Sequence, residues 1–213
     1  KRKIINSILR DHYQRDQITA AVQNLEQNDI ILISDLDEIP NLNNINFEKI
    51  DNQLLIFKQK MFYYKLNLNY ENFIWYGTKA IKKKYFKSAQ WLRNIKNKKY
   101  PIWRIDTFFS KKKYNNITFI EDGGWHFSYL KKPKDVEKKL KSIRHHIEYD
   151  LNPLGVDKID QKIKNRELIY NYNTDQRTKN KFENNEKLNI LKDEKLPIYI
   201  KDNIKKFNDW LEG

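Results

Sequence analysis

The stretch "IILISDLDEIP", residues 30–40, decides how the chain is interpreted. Its first four residues are aliphatic and predict a short strand that is buried on both faces. Three carboxylates follow within four positions, on Asp35, Asp37 and Glu38, before Pro40 ends the run. Carboxylates placed directly after a buried strand are held rigidly, and this favours a binding site. The alternative is a solvated turn in which Asp35 caps a following helix.

A helical pattern precedes this strand. Apolar residues recur with the spacing of one helix face and predict a helix from about Ile8 to Glu26. A helix that leads into an apolar strand is typical of an α/β fold, and predicts that the strand is central and parallel. Such sheets bind ligands in the loops at the carboxyl ends of their strands. We therefore expect the site at residues 35–38.

The rest of the chain changes from strands to helices. An aromatic-rich strand pattern runs from Gln53 to Leu68, and residues 117–130 predict a strand, a tight Gly-Gly turn and a second strand. After Pro133 the pattern is helical, and residues 196–211 predict an amphipathic helix. The prediction is a single domain over residues 1–213, with an α/β core over 1–130 and a helical part over 131–213.

Composition limits the partners. Forty-two Lys and Arg residues against 28 Asp and Glu residues give a net charge of +14. That surplus suggests an anionic partner such as nucleic acid, a membrane surface or a phosphorylated molecule, unless lysine is simply abundant. The absence of cysteine excludes disulfides and cysteine-bound metals. No signal peptide or transmembrane run is visible, so we expect a cytoplasmic or membrane-peripheral protein.

Asp35 and Asp37 are suited to holding a divalent cation. Two like charges brought to one site repel, and a bound Mg²⁺ or Mn²⁺ removes that cost. Two enzyme classes use such a strand end. Phosphohydrolases use an Asp-x-Asp pair with an Asp nucleophile, but the residues after Asp37 match that pattern poorly. In nucleotide-sugar glycosyltransferases the pair holds a metal that assists the leaving diphosphate.

A second group of candidate residues is "EDGGWHFSY", residues 121–129. The two glycines allow a close approach of the backbone to a ligand. Trp125 offers a flat face on which a sugar can stack, and His126 is a candidate metal ligand. Glu121 or Asp122 could act as the general base. The alternative is a hairpin with buried aromatic residues and a structural histidine.

Two weaker signals flank these motifs. In "QRD", residues 14–16, Arg15 could reach a phosphate or the donor sugar, although a lone arginine on a helix is usually a surface charge. In "SIRHHIEY", residues 142–149, His145 and His146 are consecutive on a helix, so at most one of them faces a site. The alternative is that they are structural, as histidines at a helix end more often are.

These motifs occur in a specific order. "QRD" is followed by "SDLDEIP", "FYYKLN", "GGWHFSY", "KLKSIRHHIEY" and "LPIYI". The order resembles glycosyltransferase family 17, the family of the β-1,4-mannosyl-glycoprotein β-1,4-N-acetylglucosaminyltransferase. The resemblance runs from about Asp11 to Leu211. Its most specific motifs are "SDLDEIP" and "GGWHFSY".

The resemblance implies a GT-A-like fold with a mixed sheet and a helical C-terminal tail. It also implies an inverting transfer of GlcNAc or a related sugar from a UDP-sugar donor to a glycan acceptor, with Mn²⁺ or Mg²⁺ as cofactor. Asp35 and Asp37 would form the metal motif, with Asp37 as direct ligand and Asp35 also near the ribose. His126 would be the third ligand, with His145 or His146 as the alternative.

Further roles are assigned on the same basis. Asp122 or Glu121 would be the catalytic base, and Arg15, Asp16 and Trp125 would help to bind the donor. Only 34 residues precede the Asp-x-Asp motif. We therefore expect a truncated chain, or a nucleotide-binding half that is reduced or supplied elsewhere.

Two other functions compete with this one. The first is a basic nucleic-acid-binding module, which the lysines and interleaved tyrosines permit but which gives no reason for the acidic loop. Nucleic acid is therefore the less favoured partner. The second is a metal-dependent phosphohydrolase.

Overall fold

The computed structural model describes residues 2–43, 45–142, 146–172, 182 and 186–213. The chain has an α/β fold with a mixed sheet, which confirms the predicted class. It divides into two compact units that interleave along the sequence. The first unit comprises Lys1–Gln59 and Tyr76–Gly124, and the second comprises Lys60–Trp75 and Trp125–Gly213. The single-domain description stays a prediction.

The strands and helices follow one another in this order: α1 Arg2–Ala21, β1 Ile30–Ile33, β2 Glu38–Pro40, β3 Leu54–Tyr63, β4 Leu68–Lys82, α2 Ala89–Asn94, α3 Asp106–Phe109, β5 Ile117–Ile120, β6 Gly124–Ser128, α4 Pro133–Ser142, α5 His146–Leu151, α6 Val156–Lys164, β7 Asn189–Ile190 and α7 Ile198–Asp202. The hydrogen-bonded order of the main strands is β1-β4-β3-β6-β2; β5 pairs with β3, and β7 with β4. None of the helices in the described ranges is long and apolar enough to cross a membrane.

In the first unit, the sheet is buried on both faces. The start of β3 pairs in parallel with β5, from Leu54 opposite Ile117 to Phe57 opposite Ile120. Because side chains alternate along a strand, Leu54 and Ile56 join one apolar cluster with Trp91 of α2. Leu55 and Phe57 join a second cluster on the opposite face.

The surroundings of β1 differ from the prediction. This strand is antiparallel to β4, with Ile33 opposite Lys79, and it stands at the end of the strand order. The prediction of a central parallel strand is therefore wrong. Its aliphatic run has another cause, because Ile33 packs on the cluster around Trp91 while Ile30 and Leu32 pack on the opposite face. Because other residues cover both faces of β1, its side chains are all apolar even though the strand stands at the end of the strand order.

The second unit has an aromatic core. The end of β3 pairs in parallel with β6, from Lys60 opposite Trp125 to Tyr63 opposite Ser128. The start of β4 pairs antiparallel with β7. The ring of Tyr63 stacks on that of Tyr129 at 5.9 Å between centroids. Helices α4 and α6 contribute aliphatic residues to the same cluster.

The Gly-Gly segment is not a hairpin turn. Strands β5 and β6 both run parallel to β3 and pair with successive halves of it. The amide of Gly123 donates a hydrogen bond to the carbonyl of Lys58 at 2.8 Å. A β-carbon on Gly123 would lie 2.8 Å from the Lys58 nitrogen. The missing side chain therefore lets this segment lie against β3 between the two paired stretches.

Two helix predictions are also corrected. Helix α1 begins and ends about five residues earlier than expected, at Arg2 and Ala21. The predicted helix over 196–211 is two elements, α7 and a 3-10 helix over Ile204–Trp210. They are separated at Asn203, whose backbone angles of −127° and 32° are not helical.

Candidate functional site

The acidic loop after β1 closes on itself. The amide of Glu38 donates to the carbonyl of Asp35 at 3.0 Å, which forms a turn. In return, the amide of Asp35 donates to Oε2 of Glu38 at 3.1 Å. The Glu38 side chain thus points back under the loop, and the two bonds fix the backbone between Asp35 and Glu38.

Glu38 is the buried anchor of the loop. Its side chain is 0% exposed, and Nη1 of Arg93 lies 3.6 Å from Oε1. The hydroxyl of Thr78 donates to Oε2 at 3.3 Å and also lies 2.7 Å from Oγ of Ser34. Gly77 leaves room for this carboxylate, since a β-carbon there would lie 2.7 Å from Cδ of Glu38. These contacts give Glu38 a structural role and leave it unsuited to bind a ligand.

Asp35 is a partly exposed carboxylate of the loop. Its side chain is 39% exposed and forms an ion pair with Nη2 of Arg93. Burial raises the pKa of Asp35 above its ordinary value, and Arg93 opposes that shift. The neighbouring charges of Glu38 and Asp37 also raise this pKa, whereas Arg15 lowers it. The carboxyl of Asp35 therefore ionises less readily than a free carboxyl group, and a bound cation would favour its charged form.

Three elements bring positive charges near this loop: α2 carries Arg93, α1 carries Arg15 and β4 carries Lys79. Ser88 caps the first turn of α2 by accepting a hydrogen bond from the backbone at 3.0 Å. Nη1 of Arg15, on α1, donates to Oε1 of Gln90 at 2.9 Å. The ammonium of the buried Lys79 donates to two carbonyls at the end of α2, those of Arg93 (3.1 Å) and Ile95. The predicted Arg15 thus belongs to the same unit as the acidic loop and acts on Asp35 electrostatically.

The two most specific sequence motifs meet in the first unit. The amide of Asn41, just after "SDLDEIP", donates to the carbonyl of Gly123 at 3.0 Å. The Asn41 side chain donates to the carbonyl of Asp122 at 3.2 Å. A β-carbon on Gly124 would lie 2.1 Å from the carbonyl oxygen of Ile39, so only glycine permits this approach. The acidic loop and the candidate base segment are therefore joined by direct backbone contact.

The two candidate bases lie on that segment. Glu121 is 74% exposed on its side chain and forms an ion pair with Nζ of Lys58 at 2.5 Å. Its hydrogen bond raises the pKa of Lys58. Asp122 is exposed and has a φ of +46°, a left-handed conformation that few non-glycine residues adopt. Both carboxylates are accessible from solvent.

The remaining predicted residues lie in the second unit or outside the described part. The indole of Trp125 donates to the carbonyl of Lys195 at 2.8 Å. His126 is buried, and its ring stacks on that of Trp75 at 4.4 Å, which favours the structural interpretation. His145 and the side chains of His146 and Asp16 lie outside the described residues.

The donor chemistry of the loop fits a divalent cation at Asp35 and Asp37. Carboxylate oxygens are the ligands that Mg²⁺ and Mn²⁺ prefer, and these ions usually complete their coordination with water and phosphate. Glu38 is not a candidate ligand for this cation, because its carboxylate is buried and already accepts hydrogen bonds. In the described ranges, no group of three or more His, Cys, Asp or Glu side chains is placed to hold a metal.

Sequence reasoning missed the residues that support the loop. Arg93 lies 58 positions beyond Asp35, and nothing in its local pattern marks it. Lys79 and Thr78 stand in a strand of ordinary composition. Gly77 did carry a signal, because a lone glycine inside a strand often marks a close approach of another chain segment.

Comparisons of this chain with protein-family models, curated proteins and solved structures found no match.

Proposed function

We propose that this protein is a metal-dependent inverting glycosyltransferase with a GT-A-like fold. It would transfer GlcNAc or a related sugar from a UDP-sugar donor to a glycan acceptor. One observation carries the proposal. Asp35 and Asp37 follow β1 on a loop anchored by the buried Glu38, and the side chain of Asp35 is 39% exposed next to the charge of Asp37. The order of the motifs, which resembles family 17, supplies the donor class.

In this proposal Asp35 and Asp37 hold Mn²⁺ or Mg²⁺. The ion would neutralise charge on the departing nucleoside diphosphate. Arg15 acts on Asp35 from α1, and its positive charge would attract the donor phosphates. Arg93 orients the Asp35 carboxylate through their ion pair. The basic surface of the protein would raise the local concentration of the anionic donor.

Inversion requires one base and no covalent intermediate. Asp122 or Glu121 would accept the proton of the acceptor hydroxyl as its oxygen bonds to the anomeric carbon and the bond to the diphosphate breaks. The contacts of Asn41 with Asp122 and Gly123 support this choice, because they attach the base segment to the acidic loop.

The test is UDP release from UDP-GlcNAc in the presence of Mn²⁺, with Mn²⁺ binding measured separately by electron paramagnetic resonance. We expect Asp37→Ala to lower turnover by about a hundredfold or more and to weaken Mn²⁺ binding. Asp202→Ala changes an exposed carboxylate at the end of α7 and is the matched control. Unchanged turnover and unchanged Mn²⁺ binding in Asp37→Ala would exclude the metal role.

Other outcomes would point to the competing functions. Cleavage of UDP-GlcNAc to UMP and GlcNAc 1-phosphate in place of UDP, or release of inorganic phosphate from a phosphomonoester, would identify a phosphohydrolase. Binding of nucleic acid that needs no divalent ion and falls steeply with salt would identify a nucleic-acid-binding module.

A further inference from the structure

A compact stretch of the first unit exposes a group of large apolar side chains to solvent. This stretch, residues 101–109, is called the apolar segment below. It follows α2 and includes α3. Five of its side chains are between 64% and 86% exposed: Ile102, Trp103, Ile105, Phe108 and Phe109. A group of large, exposed apolar side chains this close together in the chain is typical of an interaction surface.

The apolar segment is folded by its own hydrogen bonds. The amide of Arg104 donates to the carbonyl of Pro101 at 3.0 Å, and the amide of Phe108 to that of Ile105 at 3.1 Å. The side chain of Thr107 is buried, and its hydroxyl donates to the carbonyl of Arg104 at 2.7 Å. Because the backbone is fixed in successive turns, the exposed side chains are presented in a set arrangement.

The acidic charge of the segment is neutralised within it. Asp106 accepts two hydrogen bonds from Arg104, at 2.6 and 2.8 Å, and also pairs with Lys113. These partners hold the pKa of Asp106 well below its ordinary value. Both cations also lie over the ring of Tyr100, at 6.0 and 5.7 Å from its centroid. No uncompensated negative charge in the segment would oppose an anionic partner.

Basic residues surround the apolar segment. Between residues 96 and 113 there are seven basic residues and one acidic residue, a surplus of six among the fourteen net charges of the chain. The seven are Lys96, Lys98, Lys99, Arg104, Lys111, Lys112 and Lys113. Apart from Lys113, all of them are exposed. The apolar segment is thus flanked on both sides in sequence by positive charge.

We propose that the apolar segment docks on the surface of a membrane that contains anionic lipids. Its apolar side chains would enter the boundary between headgroups and acyl chains, while the flanking lysines meet lipid phosphates. Trp103 has the amphipathic ring that is favoured at that depth. The surplus of positive charge favours an anionic surface. Ile102 and Ile105 favour lipid over nucleic acid, because bases stack on flat aromatic rings and not on aliphatic side chains. This surface is independent of the glycosyltransferase proposal.

Vesicle co-sedimentation of the full chain tests this proposal. We expect binding to vesicles of equimolar phosphatidylglycerol and phosphatidylcholine, and at least about tenfold weaker binding to phosphatidylcholine alone. The double variant Trp103→Ser and Phe109→Ser should weaken binding at least about tenfold. Leu151→Ser changes an equally exposed apolar residue elsewhere and should bind as the wild type does.

A charge variant and a depth measurement complete the test. Lys111→Glu with Lys112→Glu should weaken binding to the anionic vesicles, whereas Lys134→Glu with Lys138→Glu on α4 should have a smaller effect. Brominated lipids should quench the tryptophan fluorescence of the wild type. The Trp103→Phe variant should lose most of that quenching while it still binds the vesicles. All of these replaced side chains are exposed, so the variants should fold.

Three results would overturn the proposal. The first is equal binding of the Trp103→Ser and Phe109→Ser variant and the wild type. The second is binding to nucleic acid but not to vesicles. The third is self-association through the apolar segment, detected by sedimentation velocity, in a chain that does not bind vesicles.

Discussion

Arg93 contacts two carboxylates of the acidic loop at once. Its Nη1 lies 3.6 Å from Oε1 of the buried Glu38, and its Nη2 pairs with the partly exposed Asp35. The first contact compensates a charge removed from water, and the second orients a charge that faces solvent. One guanidinium therefore couples the stability of the loop to the position of its candidate metal ligand.

Glu38→Ala should destabilise the fold. The substitution leaves Arg93 and Thr78 without a buried carboxylate and opens a cavity beside Gly77. We expect the free energy of unfolding in urea to fall by about 3 kcal/mol. Glu48→Ala, at an exposed glutamate, should change it by less than about 0.5 kcal/mol. Equal losses in the two variants would contradict the anchoring role of Glu38.

Asp35→Asn should stabilise the protein at neutral pH. Because the folded-state pKa of Asp35 is raised above 3.8, the folded chain binds a proton more readily than the unfolded chain does. Wild-type stability should therefore rise relative to the variant as the pH falls through the folded pKa. We expect a higher melting temperature for Asp35→Asn near pH 7, and a smaller difference near about pH 4. A less stable variant at pH 7 would refute this expectation.

Lys79→Met should remove a rise in stability at alkaline pH. Burial and, to a smaller extent, the charge of Arg93 lower the pKa of Lys79 from 10.5 to about 8, although Glu38 acts in the opposite direction. Between these two values the unfolded chain binds more protons, so wild-type stability should increase as the pH rises through about 8 toward 10.5. Urea unfolding of both proteins across this range measures the difference. If the difference in unfolding free energy between the two proteins stays constant across this pH range, the pKa of Lys79 is not lowered in the folded chain.

Gly124→Ala should separate the two motifs that meet at Ile39. The residue has a φ of +118°, and its β-carbon would lie 2.1 Å from the Ile39 carbonyl oxygen. We expect a loss of about 3 kcal/mol or more in unfolding free energy. Gly155→Ala is the control, because Gly155 has a φ of +79° but open space around it. It should cost only the conformational strain, about 1 to 2 kcal/mol. Equal costs would show that the close approach to Ile39 is unimportant.

Local sequence was sufficient for the fold class and for the acidic loop, but not for the bounds of every helix. The α/β class, the strand over Ile30–Ile33 and the carboxylates that follow it could all be predicted, because apolar periodicity and a change to charged residues are properties of neighbouring positions. Pairing was harder to predict. The Gly-Gly segment looked like a hairpin turn, whereas β5 and β6 both align with β3.

The amino-acid sequence by itself determined that Asp35 and Asp37 would follow a short apolar strand, since that depends on a few adjacent residues. Only the tertiary structure decided that Glu38 turns inward, that Arg93 neutralises it from 58 residues beyond Asp35, and that Asn41 joins this loop to Asp122. The physical reason is distance along the chain. A charge pair or a close backbone approach between remote segments depends on how strands pair, and no local pattern records that pairing.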